Sequence, residues 1–499
     1  MKKITALMMV VMIFTLSAAL EEYDRKSISI FKMDVTSSAM SVPQQDVDMI
    51  YQKIYDKFVN LGRFDYNPIP AGVTDPAELF KIIKEYTITK IEERAAKQWD
   101  IKNEYYGSNF VTGENVDKII NGAYIFFPRL ENYALTKNKT GDDFTANIGV
   151  AIDIYSAVNA GTPEAPVWEP KLETTVRATG SSAFSNLFDL ALNDKKKDKR
   201  AEAVKSAANG MILFMEKEVK KVDMFKIKAL AEKVVLKKDE ISFNFGKNVG
   251  VHMGDSYTVG YKQKDASGKE KYIETGFLKV RRVYENQSAA QLMIVNQQKG
   301  TKEADLFNEY DQFYEYPLVN LTIFLTGGEC AFKYWDDSET TLKENDTNMS
   351  PFIGMSIEYN LDQFIHMEEL YMNISGDLLF AQPGKIGVED TETTTGIAEI
   401  GLTKKYFKRQ LGWYIGADFG YMGLSLKNDA TGQDGDFYSF GFRARSGINY
   451  LINKNLILDI GTGYRFYSEL YDENDEKVGE DGWLLPNGLV IKAGIGYTL

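Results

Sequence analysis

The last third of the chain, from residue 318 to the end at 499, alternates apolar and polar residues with a period of two, segment after segment. The final segment sets Leu489, Ile491, Ala493, Ile495, Tyr497 and Leu499 on one face against Val490, Lys492, Gly494, Gly496 and Thr498 on the other. The one before it sets Leu456, Leu458, Ile460, Thr462, Tyr464 and Phe466 against Asp459, Gly461, Gly463 and Arg465. Others run near 319–326, 353–359, 370–380, 398–407, 412–421 and 438–450, which makes eight. Successive side chains of a strand point to opposite faces, so this pattern means one apolar and one polar face. A soluble sheet with one wet face produces it, and so does a membrane barrel with lipid outside and a polar lumen. No segment after the N-terminal one offers the roughly 18 consecutive apolar residues of a spanning helix, so any membrane span must come from strands.

Three features favour the membrane. The connections alternate in length: long near 336–349, 381–394, 427–436 and 469–487, short near 361–367, 408–410 and 452–454. Transmembrane barrels join their strands by long outer loops and short periplasmic turns. Aromatic residues cluster at strand ends, with Tyr359, Tyr406, Phe407, Trp413, Tyr450 and Tyr497 on the turn side and Phe380, Tyr421, Tyr438, Phe440 and Phe466 on the loop side. That placement fits two interfacial girdles. Finally, the polar faces carry balanced charge: Glu358, Asp377, Glu399, Asp418 and Asp459 against Lys405, Arg443, Arg445, Arg465 and Lys492. An eight-stranded barrel is only wide enough to be filled by side chains, so these charges are expected to pair in a plugged lumen with no open pore. A soluble sandwich or lipocalin-like barrel also alternates, but leaves a polar inside with an apolar outside unexplained.

The closing residues 488–499, GLVIKAGIGYTL, resemble the C-terminal assembly signal of bacterial outer-membrane proteins, carried here by Ile495, Tyr497 and Leu499. Leu499 stands where that signal usually has a terminal Phe. The region 317–499 as a whole is similar to OmpA/OmpX-type small barrels. The resemblance implies an antiparallel transmembrane β-barrel in the cell outer membrane, with outer-membrane lipid and the barrel-assembly machinery as partners.

The first segment reads as an export address, residues 1–19: basic Lys2 and Lys3, an apolar run over 7–16, then Ser17, Ala18 and Ala19 for cleavage. The formal net charge of −13 repels phosphate backbones, so nucleic acid is not expected as a partner. With two histidines and one cysteine, Cys330, a metal site built from several imidazoles or thiolates is not expected, nor is any cofactor.

Residues 25–225 read as a periplasmic α/β domain. A short strand over 27–33 precedes a helix whose stripe is Val47, Ile50, Tyr51, Ile54, Phe58 and Leu61, with Gly62 at its end. Asp75 and Pro76 open a second helix. Strands follow near 122–135, 144–155 and 168–178, then two helices, the latter with Val204, Ala208, Met211, Met215, Val219 and Val222 on one face. The basic loop 194–200 between those helices reads as solvated, with a basic contact site as the alternative. Ile28 to Met33, Leu61-Gly62-Arg63-Phe64 and the strand near 122–130 resemble the periplasmic α/β domains of CsgG-type secretion proteins, TolB N-terminal domains and FlgT-like flagellar proteins. Residues 228–299 read as a small all-β module, and 300–316 as a linker to the barrel. Within the module, the glycines of 246–254 followed by Asp255 resemble a turn of FlgT-like proteins. Glycine there allows positive φ, and Asp255 braces the next turn.

The chain has no nucleophile elbow and no H-E-x-x-H, and His252 and His366 alone do not support a triad. The acidic loop 472–481 lacks EF-hand spacing. No catalytic residue is nominated, and the expectation is a non-enzymatic outer-membrane anchor. It would tether a periplasmic interaction module that binds a protein or other envelope component. A small pore or secretion-system component is the alternative, and a lipid-modifying barrel enzyme a second one.

Overall fold

The structure, a computed structural model, describes residues 25–36, 39, 41–69, 73, 78, 79, 81–83, 85, 98–103, 107–112, 123–137, 144–162, 168–182, 198–264, 267–296, 302, 303, 306–309, 311–333, 347–380, 391–428, 433–472, 474–477 and 485–499. The export address, the start of the helix expected at Asp75 and Pro76, the first of the two closing helices, residues 194–197 and parts of the four long connections lie outside these. The chain divides into two compact units, Met1–Ala229 with Phe245–Val251, and Leu230–Asn244 with His252–Leu499.

In the first unit the elements run β1 Lys26–Ile30, β2 Asp34–Val35, α1 Gln44–Val59, β3 Phe64–Tyr66, β4 Gln98–Asn103, β5 Gly107–Thr112, β6 Ala123–Lys137, β7 Phe144–Asn159, β8 Trp168–Ser181 and α2 Lys199–Lys221. The sheet order is β3-β1-β6-β7-β8, with β2 beside β6 and with β4 and β5 paired as a separate hairpin. β1 is parallel to β3 and β6, while β6, β7 and β8 form an antiparallel meander. Val47, Ile50, Ile54 and Phe58 of α1 and Val204, Ala208, Met211, Met215 and Val219 of α2 share one core with Ile148, Val150, Ile152 and Ile154 of β7. The other face of the sheet packs Phe31 and Ile125 against Val73, Leu79, Ile82 and Ile83. Helices therefore cover both faces where the strands are most apolar, the arrangement of an α/β layer.

Two local devices hold this unit together. Asp198 caps α2 by accepting from the amides of Arg200 (3.0 Å) and Ala201 (3.2 Å), while Arg200 itself pairs with Asp46 of α1 at 2.5 Å. The basic loop thus ends in a helix cap and an ion pair. The segment Phe245–Val251, expected in the small β module, packs with this unit. Gly250 (φ +75°) lies so near the end of α1 that a Cβ would sit 2.6 Å from the Leu61 carbonyl oxygen. Only glycine permits both that approach and that φ.

Glu216 of α2, its side chain 12% exposed, takes ion pairs from Lys57 of α1 (2.6 Å) and Lys220 (2.8 Å). Burial pushes its carboxyl up, but Lys220 and Lys57 outweigh that and hold it at about 2. A carboxyl depressed on folding stabilises the fold above its unfolded value near 4.5 and loses that contribution as pH falls towards 2. The full contribution is roughly 3 kcal/mol. Urea midpoints of the unit should therefore drop through that window, and Glu216→Gln should flatten the drop.

The second unit opens with six strands: β9 Lys228–Val235, β10 Glu240–Phe243, β11 Ser256–Lys264, β12 Glu270–Val283, β13 Ser288–Val295 and β14 Gln312–Glu315. They close into a barrel in the order β10-β13-β12-β11-β14-β9. Its core packs Phe243 against Tyr257 and Phe313 in tilted contacts, each at 5.2 Å between ring centroids. Asp255 braces the preceding turn by accepting the His252 amide at 2.8 Å.

This corrects the linker. Within 300–316, Gln312–Glu315 is the strand that completes the small barrel, and Leu306 and Phe307 are buried beside it. Four residues show too little alternation to read as a strand, and their stability comes from filling a gap between two neighbours.

The remainder is β15 Leu321–Lys333, β16 Thr347–Asn360, β17 Leu370–Leu379, β18 Thr391–Lys408, β19 Leu411–Asn428, β20 Gln433–Leu451, β21 Leu456–Tyr467, the two-residue β22 Tyr471–Asp472, and β23 Gly488–Thr498. Each of the eight long strands is antiparallel to its neighbours, and β23 pairs with β15 from Thr322↔Thr498 to Cys330↔Val490, which closes the barrel. The short connections are a helical turn at Asp362–Ile365, the pair 409–410 with Arg409 at φ +55°, and 452–455. The expected long connection at 427–436 is shorter, because β19 and β20 stay paired out to Asn428↔Gln433. Gln433 to Asp436 carry no apolar residue, so no alternation marks that end of the pair.

Candidate functional site

The barrel is apolar outside and charged inside. Leu325, Ile353, Ile415, Phe442, Ile460 and Ile491 stand exposed on the outer face. No helix among the described residues is long and apolar enough to cross a membrane. A closed barrel satisfies its backbone hydrogen bonds internally and can meet lipid without an open edge. These strands anchor the chain in the outer membrane.

All ten charged residues of the polar faces point into the lumen, and each has a partner of opposite sign. Lys405 pairs with Glu358, and Lys492 with Asp459 at 2.9 Å. Arg445 reaches Asp418 at 2.9 Å and Glu358 at 3.7 Å. Arg443 reaches Glu399 at 2.8 Å and Asp418 at 3.0 Å. Arg465, fully buried, holds Glu399 at 2.9 Å and also Asp377. Neutral groups satisfy further lone pairs: Asn449 donates to Asp459 at 2.8 Å, Asn373 to Asp418 at 3.3 Å, and Ser375 to Glu399 at 3.3 Å. Arg465 also lies 3.6 Å from the sulfur of buried Cys330. Desolvating ten charges is tolerable only with this degree of pairing and hydrogen bonding.

Two lumenal residues escaped the sequence reading. Tyr414 and Tyr467 point inward beside the outward-facing Trp413 and Phe466, and both are buried. Their hydroxyls lie over inward glycines. A Cβ at Gly461 would come 2.2 Å from the Tyr414 oxygen, and one at Gly420 would come 2.4 Å from the Tyr467 oxygen. The inward glycines thus make room for tyrosines as well as arginines. The available signal was parity: each tyrosine occupies a polar-face position of its strand.

The girdle residues lie on the outer face. Phe380, Tyr406, Trp413, Tyr421, Tyr450, Phe466 and Tyr497 are exposed, while Tyr359 and Tyr438 are half-buried. Tyr406 stacks on Trp413 at 4.3 Å, and Tyr421 stacks on Tyr438 at 6.1 Å. Of the terminal residues, Ile495 and Tyr497 face outward, whereas Leu499 ties the seam. Its carbonyl accepts from Val319 at 2.6 Å and its amide donates to Leu321 at 2.9 Å.

The second feature is the junction between the small barrel and the short turns. Each of the three turns contributes an anchor. Glu369, buried at the first, accepts from Arg281 and Tyr371 and pairs with Lys279 at 3.0 Å. Burial pushes the Glu369 carboxyl up, but Arg281 and Lys279 hold it well below the usual carboxylate range. Burial lowers Arg281, and Glu369 more than restores it. At the second turn Arg409 takes Glu303 with two nitrogens, at 2.9 and 2.5 Å, and Asp239 with its Nε at 2.7 Å. Such fork geometry is stronger and more directional than a single contact. At the third turn Lys454 meets Glu274 at 2.7 Å and Asn455 accepts from the Tyr316 hydroxyl at 2.6 Å. Phe277, Met293 and Ile294 form an apolar patch with Leu318, Phe407 and Leu451 beneath these pairs.

Of these junction residues the sequence marks only Phe407, and as a girdle aromatic; it packs instead against Phe277, Met293 and Ile294, because its parity turns it away from the outer face. The sign of Arg281 was its place in LKVRRV, where two arginines interrupt an apolar strand; the structure has a register shift there, between Val280 and Arg282. Among the described residues no group of three or more His, Cys, Asp or Glu side chains is placed to hold a metal ion.

No family model matches the chain, and no curated protein matches it. Solved structures similar in fold include Neisserial surface protein A at 12% identity, covering 36% of this chain and 97% of that one, with a TM-score of 0.27. The N-terminal β-barrel domain of Pseudomonas aeruginosa OprF matches at 11% identity over 36% of this chain and 98% of its own, TM-score 0.24. The attachment invasion locus protein Ail of Yersinia pestis matches at 10% identity over 36% and 97%, TM-score 0.23.

Proposed function

We propose that the chain is a non-enzymatic anchor that holds a periplasmic binding module at the inner surface of the outer membrane, where it engages a protein or other component of the envelope. The observation that carries this reading is the junction. A module that served only as a passenger would need no more than a linker, whereas here all three short turns are ion-paired to the small barrel. Tethering raises the effective concentration of the module for a partner confined to the same layer. The test is crosslinking in cells, with a photoreactive residue at exposed positions of β8 such as Lys171 or Leu172. A discrete adduct with one periplasmic component, retained when the outer loops are shortened, is the expected result. Adducts only with scattered abundant proteins would remove the tethering reading.

The competing reading is a small pore, and the filled lumen argues against it. In planar bilayers the full-length protein should give no steady open-channel current. A large, stable conductance would mean that the Arg443, Arg445 and Arg465 network does not block the lumen.

A further inference from the structure

A cleft of about 510 Å³ opens beside the junction, between the small barrel and the first two turns of the membrane barrel. Most of the charge on its wall is already engaged. Asp239, Arg281 and Glu369 belong to the junction pairs, Lys405 to the lumen, and Arg282 pairs with Glu240 at the rim. Three charged groups remain available. Lys238 and Glu368 are exposed, and among the described residues neither has an ion-pair partner. Lys404 gives its ammonium to the main-chain oxygen of Glu368 and lies 5.2 Å over the Tyr406 ring.

The setting is a membrane surface. Lys404 shares its outward-facing parity with exposed Leu402 and Tyr406, so it is a cation on the lipid face of the barrel, one position inside the girdle. A lysine there is tolerated at little cost only at headgroup level, where its ammonium can leave the hydrocarbon. Tyr406, on the cleft wall, stacks on Trp413, which faces outward. On the other side, the turn bearing Glu368 exposes Phe364, Ile365 and Met367. Three bare apolar side chains in one short turn are costly in water and favourable at a lipid interface. The cleft is thus a polar hollow, flanked by apolar side chains, at the level where headgroups lie.

We propose that this cleft binds the headgroup of one phospholipid of the periplasm-facing leaflet, one carrying both a phosphate and an ammonium, with the phosphate on Lys404 and Lys238 and the ammonium on Glu368. Two cations and a carboxylate suit a zwitterionic headgroup better than a purely anionic one, which Glu368 repels. The acyl chains continue along the outer face past Leu402, Trp413 and Ile415.

The test uses the full-length protein in detergent micelles, with bound lipid counted by native mass spectrometry. The probes are dioleoyl phosphatidylethanolamine, dioleoyl phosphatidylglycerol and water-soluble glycerophosphoethanolamine. One phosphatidylethanolamine should be retained in preference to phosphatidylglycerol. Lys238→Gln should weaken retention about ten-fold, the loss of one charged hydrogen bond, and Lys238→Gln/Lys404→Gln should weaken it further. Glu368→Gln should shift the preference towards phosphatidylglycerol. Lys238 lies outside the membrane barrel, so its variant remains informative if Lys404→Gln fails to fold, as judged by the heat-dependent gel shift. Equal retention of the two lipids by the wild type, or no effect of Lys238→Gln and Glu368→Gln, would overturn the site. Glycerophosphoethanolamine competing as well as the lipid would overturn the membrane source and leave a soluble-ligand site.

Discussion

Arg465→Ala is expected to cost the membrane barrel about 3–5 kcal/mol, the usual penalty for removing one partner from a buried ion pair. Arg465 is fully buried and holds both Glu399 and Asp377, so the substitution strands two carboxylates in a closed interior. Arg443 still reaches Glu399 at 2.8 Å but Asp377 only at 3.8 Å, so relief is partial. Water cannot solvate the vacated space freely, because Phe352, Leu379, Ile397, Leu485 and Val490 pack with Tyr467 and Cys330 in the same layer. Equilibrium urea unfolding from lipid vesicles, read by the heat-dependent gel shift, measures the loss. Neutralising the stranded groups as well, with Asp377→Asn and Glu399→Gln, should recover part of it, since the penalty belongs to unpaired charge. A loss under 1 kcal/mol for Arg465→Ala would show that the lumen is more hydrated than its packing implies.

The second large effect is expected at the junction. Glu369→Gln leaves Arg281 and Lys279 without their carboxylate, and Arg281 is buried. A cost of roughly 3–5 kcal/mol follows for the docking of the small barrel, while the membrane barrel itself should stay folded. Protease cleavage within 300–316 should rise sharply as the gel shift of the C-terminal part persists. The pH dependence has a definite sign. The Glu369 carboxyl is depressed by Arg281 and Lys279, so its contribution is complete above the ordinary value near 4.5 and declines only in stronger acid. Wild-type protein at neutral pH should therefore resist cleavage, and acid should reproduce part of the effect of Glu369→Gln. Equal cleavage of wild type and variant at neutral pH would mean that the apolar patch around Phe277 and Leu451 holds the junction unaided.

The membrane barrel was legible because lipid imposes a strict rule. Outward positions that meet the hydrocarbon are predominantly apolar, so Ile460 and Asp459, neighbours in sequence, announce opposite sides. The charges of the polar faces were legible by the same parity, although which cation meets which carboxylate was not. Pairing across a lumen depends on barrel geometry: Arg465 of β21 meets Glu399 of β18, 66 residues away. The junction left little trace. Glu368 and Glu369 look like any hydrated turn, and Arg409 becomes a fork only when Glu303 and Asp239 arrive from distant segments. β14 was hidden for a related reason: Phe313 fills a core laid down 70 and 56 residues earlier, by Phe243 and Tyr257. The first unit was read in outline from the stripes of α1 and α2, while the hairpin of β4 and β5 carries no comparable periodicity.

The length of β18, β19 and β20 bears on what meets the cell from outside. They run to 18, 18 and 19 residues, whereas a tilted strand needs only about 9–11 to cross the hydrocarbon. The excess stands above the lipid as a paired ribbon ending at Asn428↔Gln433. An antibody or phage arriving there meets two hydrogen-bonded strands in register. Sera raised against a linear peptide from 420–440 should therefore bind intact cells poorly, while antibodies selected on the folded protein should recognise residues contributed by both strands at once.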